Sequence, residues 1–211
     1  MTPKYLDSIV KHYEDCLEEH GDTHLGVDWP KLDDVDKRYK VMLEVMAPPP
    51  NNNDTFTLLD FGCGAAHLLD YIQKHHLKHI NYSGLDVSEK FVALSKSKFP
   101  GIDFYALDIL QKEQDYPSFD YIVMNGVFTE KRELTFDEMW NYFCELLTNV
   151  FAHAKTGLAF NVMSKAVDWE REDLFHLSLD RLADFLTKKL SRNFIIRNDY
   201  GLYEYTTYLY K

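Results

Sequence analysis

The stretch that decides the fold reads Leu58-Leu59-Asp60-Phe61-Gly62-Cys63-Gly64-Ala65-Ala66-His67. A short apolar run ends in a carboxylate, passes through two glycines one residue apart, and then opens into a helical pattern. This order predicts a buried strand that turns sharply into a helix whose first peptide N–H groups face a ligand. Glycine has no Cβ, so Gly62 and Gly64 allow the backbone to approach that ligand closely.

The acid at the end of this strand indicates the charge of the ligand. Asp60 would repel the pyrophosphate of a dinucleotide, whereas it would attract a cationic amino group. This preference favours S-adenosylmethionine (SAM), which carries an ammonium and a sulfonium group, over a nicotinamide cofactor.

The same residues resemble the first motif of the class I SAM-dependent methyltransferases, with Ala66 in place of the usual third glycine. The resemblance covers residues 55–211. It implies an α/β, doubly wound, Rossmann-like fold, in which a seven-stranded, mostly parallel sheet has an antiparallel last strand. It also implies SAM as the cofactor and S-adenosylhomocysteine (SAH) as the product.

The rest of the chain alternates strands and helices as such a fold requires. Apolar runs predict parallel strands at about 57–61, 81–85, 102–106, 119–124 and 157–163, and an antiparallel final pair at about 193–198 and 203–210. Two amphipathic helices, at about 4–20 and 33–46, precede the sheet. We therefore expect a single domain spanning 1–211, with a helical lid at 1–47, a linker at 48–54 and the core at 55–211.

Residues just after the strands are the candidate cofactor ligands, because the ligand of a doubly wound sheet lies at the carboxyl ends of the strands. Asp86-Val87 ends the second strand, where a carboxylate can accept both ribose hydroxyls. The resemblance implies that Asp108-Ile109 accepts from the adenine amino group and that Asn125-Gly126 lines the methyl-transfer site.

Two further roles concern the N-terminal segment and a general base. The segment resembles the lead-in of some small bacterial methyltransferases, which implies that Trp29 packs over the cofactor and that Arg38 pairs with its carboxylate. His176 lies near an acidic run after the fifth strand, and we expect it to act as a general base. The alternative is a surface histidine that leads into the helix starting at Ser178.

Composition restricts the partners and the location. The chain has 23 basic and 34 acidic residues and a formal charge of −11, so nucleic acid is not an expected partner. No signal peptide or transmembrane run is apparent, and three widely spaced cysteines are typical of a reduced, cytoplasmic protein without membrane contact. The histidines near position 76 lack ligand-spaced partners, so no metal site is predicted.

The expected activity is transfer of the SAM methyl group to an oxygen or nitrogen atom of a small molecule, such as a sugar or a natural product. Two alternatives remain open at this point. One is a nicotinamide-dependent oxidoreductase, and the other is a non-catalytic SAM-binding partner subunit. The sequence carries no indication of the oligomeric state.

Overall fold

The computed structural model describes residues 4–46, 54–111 and 116–211. The helices are α1 (Lys4–His20), α2 (Leu32–Leu43), α3 (His67–Lys74), α4 (Glu89–Lys98), α5 (Phe136–His153) and α6 (Leu179–Phe185). The strands are β1 (Phe56–Phe61), β2 (Ile80–Asp86), β3 (Phe104–Ala106), β4 (Phe119–Met124), β5 (Ala154–Ser164), β6 (His176–Leu177), β7 (Phe194–Arg197) and β8 (Glu204–Tyr210). Apart from Asp54, the predicted linker at 48–54 lies outside the described residues.

The strands form one sheet in the order β3-β2-β1-β4-β5-β8-β7, and the two-residue strand β6 pairs with β5. Strands β1 to β5 run parallel to one another, whereas β8 lies antiparallel to both β5 and β7. The predicted doubly wound sheet with a reversed last strand is therefore confirmed, and β6 is an addition to it. Because β1, β2 and β4 are parallel, their carboxyl ends lie at the same edge of the sheet. The strand order reverses between β1 and β4, and a ligand-binding crevice is expected at this point.

Apolar side chains cover both faces of the sheet, as a parallel sheet requires. On one face, Phe143 of α5 and Leu182 of α6 share a buried cluster with Leu59 and Ile122 of the sheet. On the other face, α2 and α3 pack over residues such as Leu58 and Tyr82. None of the helices in the described part of the chain is long and apolar enough to cross a membrane.

The two N-terminal helices differ in how they attach to the sheet. Helix α2 belongs to the core, since it buries Met42, and the hydroxyl of Tyr208 on β8 donates a hydrogen bond to the carbonyl of Val41. Helix α1 instead lies across the start of α4, where Ser88 Oγ lies 2.6 Å from a carboxylate oxygen of Glu14. Only α1 and the turn after it have the position of a lid, and the lid role itself stays a prediction.

Local signals set most of the helix ends. Ser88 Oγ and Ser178 Oγ each accept a backbone N–H at 3.4 Å, so both predicted N-caps are present. Helix α3 begins only at His67, two residues later than the pattern predicts, because Ala66 has a left-handed φ of 57°. Alanine thus adopts the backbone conformation that glycine takes more readily at this third position of the motif.

Candidate functional site

A cavity opens at the carboxyl ends of β1, β2 and β4, where a doubly wound sheet binds its ligand. It is lined by every predicted cofactor-binding residue except Arg38: Trp29, Asp60, Gly62, Gly64, Asp86, Val87, Asp108, Ile109, Asn125 and Gly126. Residues that are far apart in the sequence therefore converge on one cleft, and their individual roles stay predictions.

Asp60 forms the buried floor of this cavity. Its side chain is almost fully buried, and the hydroxyl of Tyr82 on the neighbouring strand donates a hydrogen bond to Oδ2 at 2.8 Å. Burial raises the pKa of Asp60 to about 7; the hydrogen bond from Tyr82 opposes this rise, and the negative charge of Asp86 adds to it. A cationic ligand group beside Asp60 would stabilise its ionised form.

Asp86 lies between the glycine turn and α4. Its Oδ2 accepts the N–H of Gly64 at 2.9 Å, and its Oδ1 accepts the N–H of Ser88 at 2.9 Å. Burial raises the pKa of this carboxyl, although the backbone hydrogen bonds favour its ionised form. These two contacts fix the carboxylate, and each oxygen keeps acceptor capacity toward the cavity.

The glycine turn brings backbone close to the cavity. Gly62 has a φ of +74°, and a Cβ at this position would lie 2.6 Å from Cγ2 of Val127. A side chain at Gly62 would therefore be strained both by its backbone conformation and by this contact.

The loop after β4 presents an unsatisfied amide. Oδ1 and Nδ2 of Asn125 are both shielded from solvent, and neither has a hydrogen-bond partner among the described residues. Since a buried amide without partners is costly, its position on the cavity wall suits an ordered water or a ligand group that supplies those partners. Trp29 approaches the adjacent Gly126 from the other side, 3.7 Å from where a Cβ would lie.

Asp108 lines the cavity, and its side chain also accepts hydrogen bonds from residues of the turn that follows it. Its Oδ1 accepts the N–H of Leu110 at 3.1 Å, and its Oδ2 accepts from the side chain of Gln111 at 3.2 Å. The geometry is thus compatible with both an adenine contact and a purely structural role.

Arg38 does not reach the cavity, which argues against the predicted pairing with the cofactor carboxylate. Its Nε lies 3.0 Å from both carboxylate oxygens of Glu204. The guanidinium also lies over the ring of Trp29, 4.8 Å from its centroid, and Trp29 stacks on Tyr39. Arg38 therefore supports the wall of the cavity from behind.

This ion pair continues to the loop after β4 through one buried amide. Asn161 Nδ2 donates to Oε1 of Glu204 at 3.1 Å, and Asn161 Oδ1 accepts the N–H of Gly126 at 2.8 Å. A continuous chain of polar contacts thus connects α2 with Gly126, where the predicted methyl-transfer loop lies.

The structure contradicts the predicted role of His176 as a general base. The ring is buried in β6, where Nδ1 lies 2.6 Å from the carbonyl oxygen of Ser164 and Nε2 accepts the N–H of Arg171 at 3.2 Å. Backbone groups engage both ring nitrogens, and the residue does not line the cavity. His176 is therefore neither a general base nor a surface histidine. It is a buried residue whose ring contacts the backbone of Ser164 on β5 and of Arg171 in the following loop.

Three tyrosines at the cavity or beneath it were not among the residues that the sequence predicts for the site. Tyr13 and Tyr39 line it from α1 and α2, and Tyr82 contacts Asp60 from below. Burial raises the pKa of all three phenols, which therefore stay protonated donors. In the sequence, Tyr13 and Tyr39 fit amphipathic helices and Tyr82 fits a β-strand. Their spacing therefore does not distinguish them from ordinary core residues.

Comparisons with known proteins agree with this arrangement. Residues 59–157 match the family described as "Methyltransferase domain". A protein of Mycobacterium tuberculosis, Rv1506c, which is named as a methyltransferase, is 30% identical over 162 residues, covering 74% of this chain and 93% of that protein.

Solved structures show the same fold at low sequence identity. The magnesium protoporphyrin IX methyltransferase ChlM from Synechocystis PCC 6803, bound to SAH, is 15% identical with a TM-score of 0.64, over 97% of this chain and 99% of its own. The plantazolicin methyltransferase BamL, in complex with a triazolic desmethylPZN analog and SAH, is 11% identical with a TM-score of 0.64, over 97% and 98% of the two chains. At these identities the likeness concerns the fold alone.

Proposed function

Because this chain belongs to the class I SAM-dependent methyltransferases, we propose that it methylates an oxygen or nitrogen atom of a small molecule at the cavity described above. The observation that carries the proposal is the buried, unpartnered amide of Asn125, which lines the same cavity as the carboxylates of Asp60 and Asp86. A cavity with these groups needs a polar ligand that offers both donors and acceptors.

The residues of the cavity fit SAM. Asp60 is a buried carboxylate that a ligand ammonium would compensate, and Asp86 is oriented to accept ribose hydroxyls. A Cβ at Gly62 would collide with Val127, so glycine at this position lets the loops after β1 and β4 pack closely beside the cavity. Bound SAM would supply an electrophilic methyl group on a good leaving group, and the protein would then chiefly have to hold the acceptor in line.

We assign the protein's contribution to binding, orientation and exclusion of water. Asp60 would hold the ammonium of the cofactor and Asp86 its ribose, and Asn125 offers a donor and an acceptor near the transfer site. Trp29 and Tyr13, from the two lid segments, cover the cavity and exclude water. No general base is assigned, since His176 is engaged by backbone groups.

The acceptor that we propose is neutral or cationic and small. The formal charge of −11 disfavours a polyanion, and aromatic side chains such as Trp29, Tyr39 and Tyr13 form much of the wall. The two structural neighbours are named as methyltransferases of magnesium protoporphyrin IX and of plantazolicin, which supports a discrete compound as the acceptor. We propose a cytoplasmic location, which the three widely spaced cysteines of the sequence support.

The experiment is a transfer assay with SAM carrying a labelled methyl group and a library of demethylated sugars and natural products. We expect label in at least one small molecule together with an equal amount of SAH. Asp86→Ala should lose this activity. The control is Asp103→Ala, which replaces an exposed acid just before β3 and should keep the activity. Binding of SAM without transfer to any compound or protein would indicate the non-catalytic partner subunit instead.

A further inference from the structure

Three metal-binding side chains converge on the outer side of the lid. His12 and Cys16 lie four positions apart on α1, so they share one face of the helix. Asp28 follows the short 3-10 turn (Leu25–Val27) and reaches the same point from the other side. No site described above uses any of these three residues.

Their donor atoms point toward one another. His12 Nε2 lies 2.8 Å from Oδ2 of Asp28 and 3.9 Å from Sγ of Cys16. All three donor atoms lie within 4.8 Å of one another. One imidazole nitrogen has a single proton or lone pair to share, so it cannot hydrogen-bond both neighbours fully.

The spacing is close to that around a tetrahedral ion. With zinc bond lengths of about 2.0–2.3 Å, tetrahedral ligands lie roughly 3.3 Å apart for N and O and roughly 3.6 Å apart for N and S. The observed distances of 2.8 and 3.9 Å each differ from these values by about half an ångström or less. The separation of Asp28 and Cys16 is at most 4.8 Å, against roughly 3.6 Å around such an ion, so side-chain movements of about an ångström would bring all three atoms to bonding distance.

We propose that His12, Cys16 and Asp28 form a binding site for Zn²⁺, with the remaining coordination position open to water. The combination of thiolate, imidazole and carboxylate is typical of this ion. On binding, Cys16 forms a Zn–S bond and releases its thiol proton to solvent. No metal site is apparent from the sequence, because no spacing rule joins Asp28 to the helical pair.

The site would connect the two segments that cover the cavity. Tyr13 follows His12, Trp29 follows Asp28, and both neighbours line the cavity. An ion held between α1 and the turn would therefore fix both of these aromatic walls. The expected consequence is a higher thermal stability in the presence of Zn²⁺.

The test uses the full-length protein after treatment with a chelator and dialysis, without SAM. Titration with Co²⁺ should produce a near-ultraviolet thiolate-to-cobalt band at one ion per chain, and calorimetry should show Zn²⁺ binding at the same stoichiometry. Cys16→Ser should lose the band, and Cys16→Ser, His12→Ala and Asp28→Asn should each weaken Zn²⁺ binding at least about tenfold. Cys144→Ser, a matched control at the other partly buried cysteine, should behave as the wild type.

Two results would overturn the proposal: a wild-type protein without the cobalt band, or a Cys16→Ser variant that binds Zn²⁺ as tightly as the wild type. Asp28→Asn keeps a residue that tolerates the left-handed φ of 56°, so its loss of binding would not reflect misfolding. Since neither titration involves SAM, this proposal and the proposed methyl transfer can fail independently.

Discussion

The guanidinium Nε of Arg38 lies 3.0 Å from each carboxylate oxygen of Glu204, although the two residues are 166 positions apart in the chain. The carboxylate side chain is 3% exposed and the arginine 19%, so the pair is largely removed from water. Through Asn161 it continues to the backbone of Gly126. One buried ion pair thereby connects the N-terminal segment, the last strand and the loop after β4.

Removal of one member of this pair should destabilise the fold. We expect Glu204→Gln to lower the free energy of unfolding by about 3–5 kcal/mol, because Arg38 would keep its charge without the compensating carboxylate. Chemical denaturation measures this difference. The matched control is Glu44→Gln, which breaks the more exposed pair with Arg197 and should cost at most about 1 kcal/mol. Equal effects in the two variants would contradict the buried network.

SAM binding should depend on pH through Asp60. Its pKa of about 7 in the free protein means that the carboxyl is largely protonated at pH 6 and largely ionised at pH 7.5. The ammonium of the ligand favours the ionised form, so we expect affinity to rise by up to about tenfold between these pH values. The range ends at pH 7.5 because an α-amino group itself loses its proton at about pH 8.

Two controls isolate this effect. Asp60→Asn should bind SAM weakly with a flat pH profile over the same range. Methylthioadenosine, which lacks the α-amino group of SAM, should bind the wild type with little pH dependence. A steep profile in the Asp60→Asn variant would assign the titration to another group.

The motif around β1 could be interpreted from the sequence because the residues that define it are close together in the chain. Asp60, Gly62 and Gly64 follow one apolar run within seven positions, and the parallel sheet brings Asp86 and Asn125 to the same edge by topology. The alternation of strands and helices indicates that topology, so nine cavity residues could be expected from their positions after strands, whereas Trp29 was expected only from the resemblance of the N-terminal segment.

Trp29 should report on the occupancy of the cavity. The chain has three tryptophans, of which Trp29 lines the cavity and Trp169 is 71% exposed. We expect SAM to change the tryptophan fluorescence of the wild type, because the ligand would lie against the indole of Trp29. Trp29→Phe should lose most of this change and Trp169→Phe should retain it. The reverse pattern would place the ligand elsewhere.

His176 should matter for stability and not for proton transfer. Its replacement by alanine leaves the Ser164 carbonyl and the Arg171 N–H without their partner, so we expect a loss of about 1–3 kcal/mol in the free energy of unfolding. With an identified acceptor, kcat should fall less than tenfold, whereas loss of a general base typically costs about 10²–10⁴-fold. His75→Ala, at an exposed histidine, should change stability by less than about 0.5 kcal/mol. A 100-fold loss of kcat in a stable His176→Ala protein would instead support His176 as the general base.

The side-chain partners were less predictable than the fold, because they depend on contacts between distant segments. The charge of Arg38 is consistent with a ligand carboxylate, and nothing near it in the sequence indicates Glu204. His176 lies beside an acidic run in the sequence, yet its two-residue strand turns it toward the backbone of Ser164. Likewise, the pairing of Tyr82 with Asp60 depends on the parallel register of β1 and β2, which local sequence patterns do not specify.

The central claim, that the cavity at the strand ends binds SAM, is tested most directly by calorimetric titration of the protein with SAM and with NAD⁺. We predict one SAM site per chain and no binding of NAD⁺. We further expect Asp86→Ala to weaken SAM binding by roughly 2–3 kcal/mol, the scale of charge-assisted hydrogen bonds, while Asp103→Ala leaves it unchanged. Tight binding of NAD⁺ without binding of SAM, or an Asp86→Ala variant with wild-type affinity for SAM, would contradict the account.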